Sequence, residues 1–424
     1  MTDVFAVKGN ICYNKDVKHL EVLEHGYVLC KNGVSLGAYP VLPEAYAGIP
    51  CKDYGDALIV PGMTDLHIHA PQYAFRGTSM DLELLEWLNT VTFPQESRYQ
   101  DEEYAAKAYG MFADDLKKGA TTRACIFGTL HVKSTEILMD RMEETGIHAY
   151  IGKVNMDRNS PEILCEESAK RSAEDTVRWL EDTAGKYRHV KPMLTPRFTP
   201  SCSDELMERL SGIQKEYRLP VQSHLSENLS EIDWVRELCP GTRFYGESYD
   251  RFGLFGGDCP TVMAHCVHCP EEEIALMKER GVYIAHCPQS NTDLSSGIAP
   301  IRRYLEEGMH VGIGTDVAGG HSPSVMRQIS DAIAVSKLRW RLVDDSLKAL
   351  TFSEAFYMAT IGGGSFFGKV GSFEEGYEFD AVVLCDDNLS HPQPLDPKQR
   401  LERLIYLGDD RNIIGKYVAG EKIF

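Results

Sequence analysis

The residues Ala57-Leu58-Ile59-Val60-Pro61-Gly62-Met63-Thr64-Asp65-Leu66-His67-Ile68-His69 join an apolar run of strand length to two histidines a single residue apart. In an extended chain side chains alternate between faces, so His67 and His69 point to one side and Ile68 to the other. With the run at 57–60 as the first, apolar runs recur at 122–127, 149–154, 190–194, 221–224, 261–265, 282–286 and 311–314. The stretches between them, among them 104–118, 169–187, 203–217 and 270–280, carry apolar residues at helical spacing with charged outer faces. Gly119 and Gly281 stand where such helices end. Strands packed in a barrel on one face and covered by helices on the other read as continuous apolar runs. The pattern therefore predicts an α/β chain built on a (β/α)8, TIM-like barrel.

Outward from the barrel the two ends read differently. Short strand-like pieces at 4–7 and 27–30, an Asn32-Gly33 hairpin turn, and further pieces at 381–385 and 416–418 predict one small β structure built from both termini. The expected division is residues 1–60 plus 370–424 for that β domain and 61–369 for the barrel. No repeat of solenoid period and no low-complexity segment interrupts this plan.

The chain has 424 residues, 43% hydrophobic and 25% charged, enough to bury a large core and far from the composition of a disordered chain. Its formal net charge of −19, from 44 basic and 63 acidic residues, opposes binding to nucleic acid or to anionic membranes. The first residues lack a basic segment followed by an apolar one, and no run reaches the length of a membrane span, which predicts a cytoplasmic protein. Twelve scattered cysteines, mostly inside apolar segments, read as reduced small hydrophobes.

His67 and His69 gain meaning from three further residues. His224 ends the fifth expected strand, His265 the sixth, and Asp316 follows the eighth, so all five lie at carboxyl ends of strands, where barrels of this kind place their chemistry. Histidines with one carboxylate suit Zn2+ or Fe2+ with a position left for water, and a cation so held lowers the pKa of water to about 7. The set thus predicts a hydrolytic metal centre. Cys266-Val267-His268-Cys269 has the spacing of a zinc or redox pair, but no second pair follows, and it reads as loop packing. His286, at the end of the seventh strand, reads as a lining residue.

The strings Pro61-Gly62-Met63-Thr64-Asp65-Leu66-His67-Ile68-His69, His224, His265 and Thr315-Asp316 resemble the amidohydrolase superfamily over nearly the whole chain. Within it, His67-Ile68-His69-Ala70-Pro71-Gln72-Tyr73, Thr195-Pro196-Arg197-Phe198, Ser223-His224-Leu225-Ser226-Glu227-Asn228 and Gly314-Thr315-Asp316-Val317-Ala318-Gly319-Gly320 are similar to the guanine deaminase family. The resemblance implies hydrolysis of guanine to xanthine and ammonia in purine catabolism, a composite β-sandwich from both termini, and a homodimer. Many superfamily members bridge two metals with a modified lysine at the end of the fourth strand. Here that strand ends in Thr195-Pro196-Arg197-Phe198, so the resemblance implies one ion, Zn2+ or equally Fe2+, held by His67, His69, His224 and Asp316.

The same resemblance assigns the remaining roles. Glu227 is the candidate proton shuttle, Asp316 also accepts a proton from water, and His265 holds the attacking oxygen. Gln72, Arg197 and Phe198 are candidates to read the base, with Trp87 and Leu88 in the pocket wall. Arginine offers forked donors to two adjacent acceptors, an amide both donates and accepts, and an aromatic ring covers a planar purine. Two other readings remain open: an aminohydrolase of another purine, pyrimidine or triazine ring, and a catalytically silent metal-binding assembly protein. The His-x-Glu with Pro-Cys-x-x-Cys signature of zinc deaminases that act on flipped bases is absent.

Overall fold

The computed structural model describes residues 4–424. Its strands are β1 (Val4–Asn14), β2 (Leu20–Lys31), β3 (Val34–Tyr39), β4 (Cys51–Pro61), β5 (Met63–His69), β6 (Thr121–Phe127), β7 (His148–Gly152), β8 (Val154–Asn155), β9 (Val190–Pro192), β10 (Thr195–Pro196), β11 (Val221–Leu225), β12 (Thr261–His265), β13 (Tyr283–His286), β14 (His310–Ile313), β15 (Ala381–Leu384), β16 (Ile413–Val418) and β17 (Glu421–Lys422).

Strands from both ends of the chain pair into one seven-stranded sheet, in the order β17-β16-β15-β4-β1-β2-β3. Between β2 and β3 the chain turns through Asn32 and Gly33 at φ 51° and 81°, the left-handed values a tight hairpin requires. One face of this sheet buries Val7, Ile11, Val28, Ile59, Val383 and Tyr417 against Phe373 and Phe379.

The middle of the chain is an α/β arrangement of parallel strands. One sheet runs β5-β6-β7-β9 and a second β11-β12-β13-β14, with β8 and β10 forming a short parallel pair. A parallel bridge between Leu194 and Val221 links the two sheets on one side. On the other, the backbone N–H of Asp316 donates to the His67 carbonyl at 2.8 Å and that of His69 to the Val317 carbonyl at 3.0 Å.

The expected first barrel strand needs correction. Residues 57–60 lie in β4, in the middle of the seven-stranded sheet, and the strand that opens the parallel set is β5, which itself carries both histidines. The chain changes sheets at Gly62: its N–H donates to the Asp380 carbonyl, while that of Met63 donates to the Ala120 carbonyl. A Cβ at Gly62 would lie 2.2 Å from Thr122 Oγ1, so only glycine lets the strand pass there. Residues 57–60 misled because a strand inside any buried sheet is as apolar as a barrel strand. The runs at 149–154 and 190–194 also divide, the first at Lys153 into β7 and β8, the second after Pro192, with Thr195–Pro196 forming β10.

The helices follow ordinary local rules. Glu102–Lys118 begins at Asp101, whose carboxylate accepts the N–H of Glu103 and Tyr104, and it buries Ala105, Ala108, Tyr109, Phe112 and Leu116. Beyond its last turn the buried Lys416 Nζ of β16 donates to the carbonyls of Leu116, Gly119 and Thr121. Close by, Arg123 of β6 reaches Asp380 with two hydrogen bonds of 2.6 and 2.8 Å and Glu378 with one of 2.8 Å. These contacts fasten the seven-stranded sheet to the parallel one.

Candidate active site

Period-two alternation in β5 brings His67 and His69 to one face, as their spacing predicts, and the neighbouring strand ends supply the rest. His67 and His69 approach through their Nε2 atoms at 3.2 Å, and His69 and His224 do so at 3.2 Å. Asp316 Oδ1 lies 3.0 Å from His67 Nε2 and 3.3 Å from His69 Nε2. His265 Nε2 stands 3.9 Å from Asp316 Oδ2 and 3.4 Å from Glu227 Oε2. His265 and Asp316 take φ of 73° and 46°, left-handed values that cost free energy in non-glycine residues and concentrate at functional sites.

A second ring of contacts sets which nitrogens face inward. His224 Nδ1 donates to the Arg197 carbonyl at 2.6 Å and His265 Nδ1 to Asn291 Oδ1 at 2.9 Å. Each acceptor has no proton to give, so both Nδ1 atoms are protonated and both Nε2 lone pairs face the cluster. Asp65 accepts the Thr315 N–H at 3.0 Å, the Thr315 hydroxyl at 2.6 Å and the His67 N–H at 3.2 Å. It thereby ties β5 to the loop that carries Asp316.

Burial pushes the pKa of His67 down, that of His69 to about 4 and that of His224 far below the ordinary value. Burial works against ionisation of Asp316 too, but the neighbouring imidazoles prevail and hold its carboxyl well below the usual range. Imidazoles that burial makes easy to deprotonate, gathered around one carboxylate, are a donor set for a divalent cation. His67, His69 and His224 offer three ligand atoms within 4.8 Å of one another, as do His67, His265 and Asp316. Lys153 is buried against Glu166 and the Val154 carbonyl, and Arg197 follows Thr195–Pro196 at the end of the fourth expected strand.

A cavity opens from the cluster, lined by His69, Gln72, Leu84, Trp87, Leu88, Arg197, Phe198, His224, Glu227, Glu231, His265, Leu294 and Asp316. Every residue singled out for base reading lies on that wall. Glu227 Oε1 accepts the Ser296 hydroxyl at 2.8 Å, and burial, reinforced by the Asp316 charge, lifts the Glu227 pKa to about 8. Its Oε2 faces His265 Nε2 at 3.4 Å.

Three residues on or behind that wall escaped the sequence reading. Glu96 forms a two-point ion pair with Arg197, at 2.5 Å to Nη1 and 3.1 Å to Nη2, and accepts the Gln72 amide at 2.8 Å. Asn291 orients His265. Glu231 accepts the Glu227 N–H at 3.1 Å and the Tyr245 hydroxyl at 2.8 Å, and also caps its own helix. Of the three, only Glu231 had a local signal, the Asn228-to-Glu231 capping box.

Other residues lie apart from the wall. His286, expected as a lining residue, is instead buried off the wall; among the described residues both its ring nitrogens lack a partner, and burial pushes its pKa down to about 3. Cys266 packs against the carbonyls of Met263 and Ala264, Cys269 is half-buried, and His321 pairs with Asp293 at 2.7 Å.

Residues 58–423 match the Amidohydrolase family. The chain is 40% identical to a guanine deaminase of Dictyostelium discoideum over 381 residues, 88% of this chain and 83% of that protein. It is 41% identical to a guanine deaminase of Rattus norvegicus over 379 residues, 86% and 82% of the two chains. The crystal structure of a guanine deaminase from C. acetobutylicum with bound guanine in the active site superposes with a TM-score of 0.96 at 48% identity, covering 100% of both chains. With nearly the whole described chain matched and the histidines and aspartate gathered at the strand ends, the protein belongs to the amidohydrolase family.

Proposed function

We propose that the protein hydrolyses guanine to xanthine and ammonia. The observation that carries this reading is one cavity in which three imidazoles and a carboxylate converge beside an acid, Glu227, and a forked donor, Arg197. A whole-chain relative at 48% identity binds guanine at its active site, and curated relatives at 40% and 41% identity are guanine deaminases.

His67, His69, His224 and Asp316 would hold one divalent ion, Zn2+ or Fe2+, and its donor set of nitrogen and carboxylate oxygen suits either. When bound, such a cation acts as a Lewis acid and makes hydroxide available near neutral pH. The protein's own groups then handle the protons. Asp316 Oδ2, turned away from His67 and His69, accepts the proton lost by the attacking water. His265 Nε2, between Glu227 and Asp316, marks where the attacking oxygen is held. Glu227 Oε2 delivers its proton to ring N3 as the C2–O bond forms. The C2–N bond then breaks: the amine takes up the proton removed from water and departs as neutral ammonia, and the proton left on the C2 hydroxyl passes to Glu227, restoring its acid form as the C2 carbonyl forms. Atoms balance as guanine plus water giving xanthine plus ammonia.

Gln72, Arg197 and Phe198 read the base in this proposal, and Trp87 and Leu88 wall it. With C2 toward the cluster, O6 and N7 face away from it, toward Arg197. The proposal also takes the two parallel sheets as parts of one (β/α)8 barrel, residues 61–369, with residues 1–60 and 370–424 as a composite β-sandwich. Support comes from the Leu194 bridge, the His67 and Val317 contacts and the seven-stranded sheet drawn from both termini. A cytoplasmic location is supported by twelve free cysteines, and a homodimer by the family resemblance.

Ammonia release measured with guanine, adenine, cytosine and an aminotriazine tests the reading. Guanine is the expected best substrate. A clear preference for another ring would establish a different aminohydrolase, and no ammonia from any ring would support a metal-binding protein without turnover.

A further inference from the structure

Glu96 is buried beside the cavity and touches two of the residues that line it. Its carboxylate accepts from both terminal nitrogens of Arg197 and from the Gln72 amide. Gln72 in turn accepts the Ala318 N–H at 3.0 Å, so its amide is held at both ends and its second N–H is left free of Glu96. The Phe93 ring lies 5.1 Å from the Arg197 guanidinium carbon. Glu96 and Arg197 are both buried. Burial alone would raise the Glu96 pKa, but the Arg197 charge and its hydrogen bonds outweigh it and keep the carboxyl ionised.

A buried, unpaired guanidinium is a receptor for carboxylates and phosphates, because its fork matches two anionic oxygens. Resting on the guanine reading above, we infer that Glu96 is a specificity-determining positioning residue: by neutralising Arg197 it makes the cavity accept uncharged heterocycles and reject anionic ones. Of the five N–H donors of Arg197, Glu96 uses two, and three remain for neutral acceptors such as a carbonyl oxygen and a ring nitrogen. An anion placed there would meet a guanidinium whose charge is already compensated, and its own desolvation would go unrecovered. Glu96 therefore sets charge preference without touching substrate.

Purine-6-carboxamide and purine-6-carboxylate test this, since they share a shape, differ by one charge, and present it at the ring edge assigned to Arg197. Both are measured as inhibitors of guanine turnover in metal-loaded wild type, Glu96→Gln, Glu96→Asp and Arg197→Ala, with metal content checked in each. Wild type should bind the carboxamide more tightly. Glu96→Gln should move the ratio of inhibition constants about tenfold or more toward the carboxylate, whereas Glu96→Asp, which keeps the charge, should hold the wild-type ratio while raising the KM for guanine. An unchanged ratio in Glu96→Gln at full metal content overturns the inference. Should that variant fail to fold, a wild type that prefers the carboxylate overturns it equally. If Arg197→Ala leaves both inhibition constants and guanine kinetics unchanged, the placement of Arg197 at the base edge fails instead.

Discussion

The main-chain carbonyl of Arg197 accepts the Nδ1–H of His224 at 2.6 Å. One residue thus orients an imidazole of the proposed metal set through its backbone and faces the substrate cavity with its side chain. The two duties separate experimentally, because truncating the side chain leaves the carbonyl in place. Arg197→Ala should keep its metal yet lose about tenfold to a hundredfold in kcat/KM for guanine, the worth of a forked contact to two base acceptors. Adenine should remain a poor substrate. Guanine turnover at the parental kcat/KM in the metal-loaded variant would return base recognition to Gln72 or to backbone groups.

Removing a proposed ligand should act on metal and turnover together. His67→Ala and Asp316→Ala are each expected to bind less than one ion per chain and to be inactive, while wild type carries about one. Elemental analysis of the purified proteins decides this. Full metal content in either variant would exclude that residue from the coordination set, and two ions per active wild-type chain would contradict a single-ion centre.

Glu227 gives a prediction with a pH axis. Burial, aided by the charge of Asp316, places its pKa at about 8, so the acid form prevails below that value and is lost as pH rises through it. If that form protonates the ring, kcat should fall on the alkaline side with a limb near this pH. Glu227→Gln cannot ionise, should keep its metal, should lose roughly 10² to 10⁴ in kcat, and should show no such limb. A metal-loaded variant with wild-type kcat and the same profile would make Glu227 a bystander.

The contact between the two sheet systems has its own energetic signature. Arg123 is buried between Asp380 and Glu378, and the Asp380 side chain is fully enclosed. Arg123→Met leaves that carboxylate without its cation, which should cost about 3–5 kcal/mol of stability. Urea unfolding followed by circular dichroism measures it. A midpoint within error of wild type would mean that the two sheets hold together without this pair.

What could be read in the sequence was what has a period or a fixed place. His67 and His69 are two apart on a strand, and His224, His265 and Asp316 fall where apolar runs end, so local pattern and fold class together located them. Glu96 has neither advantage. It sits 101 residues before Arg197 in an irregular helical stretch, and its role exists only because the chain returns to it. Asn291 meets His265 in the same way, across a loop. Residues 57–60 illustrate the other limit: apolarity records burial on both faces, and a central strand of the seven-stranded sheet is buried as thoroughly as one in the parallel sheets. Only the tight passage at Gly62 separates the two, and a glycine reports its neighbour Thr122 only after the fold has placed it.

The central claim, metal-dependent replacement of the 2-amino group of guanine by oxygen from water, is tested most directly by one titration in heavy-oxygen water. Chelator-treated protein receives Zn2+ in steps while ammonia and xanthine are measured. The expected result is no turnover without metal, activity rising to a plateau at about one ion per chain, one ammonia for each xanthine, and the heavy oxygen at C2 of the product. Ammonia release at an undiminished rate from metal-free protein, or no xanthine at one ion per chain, would contradict it.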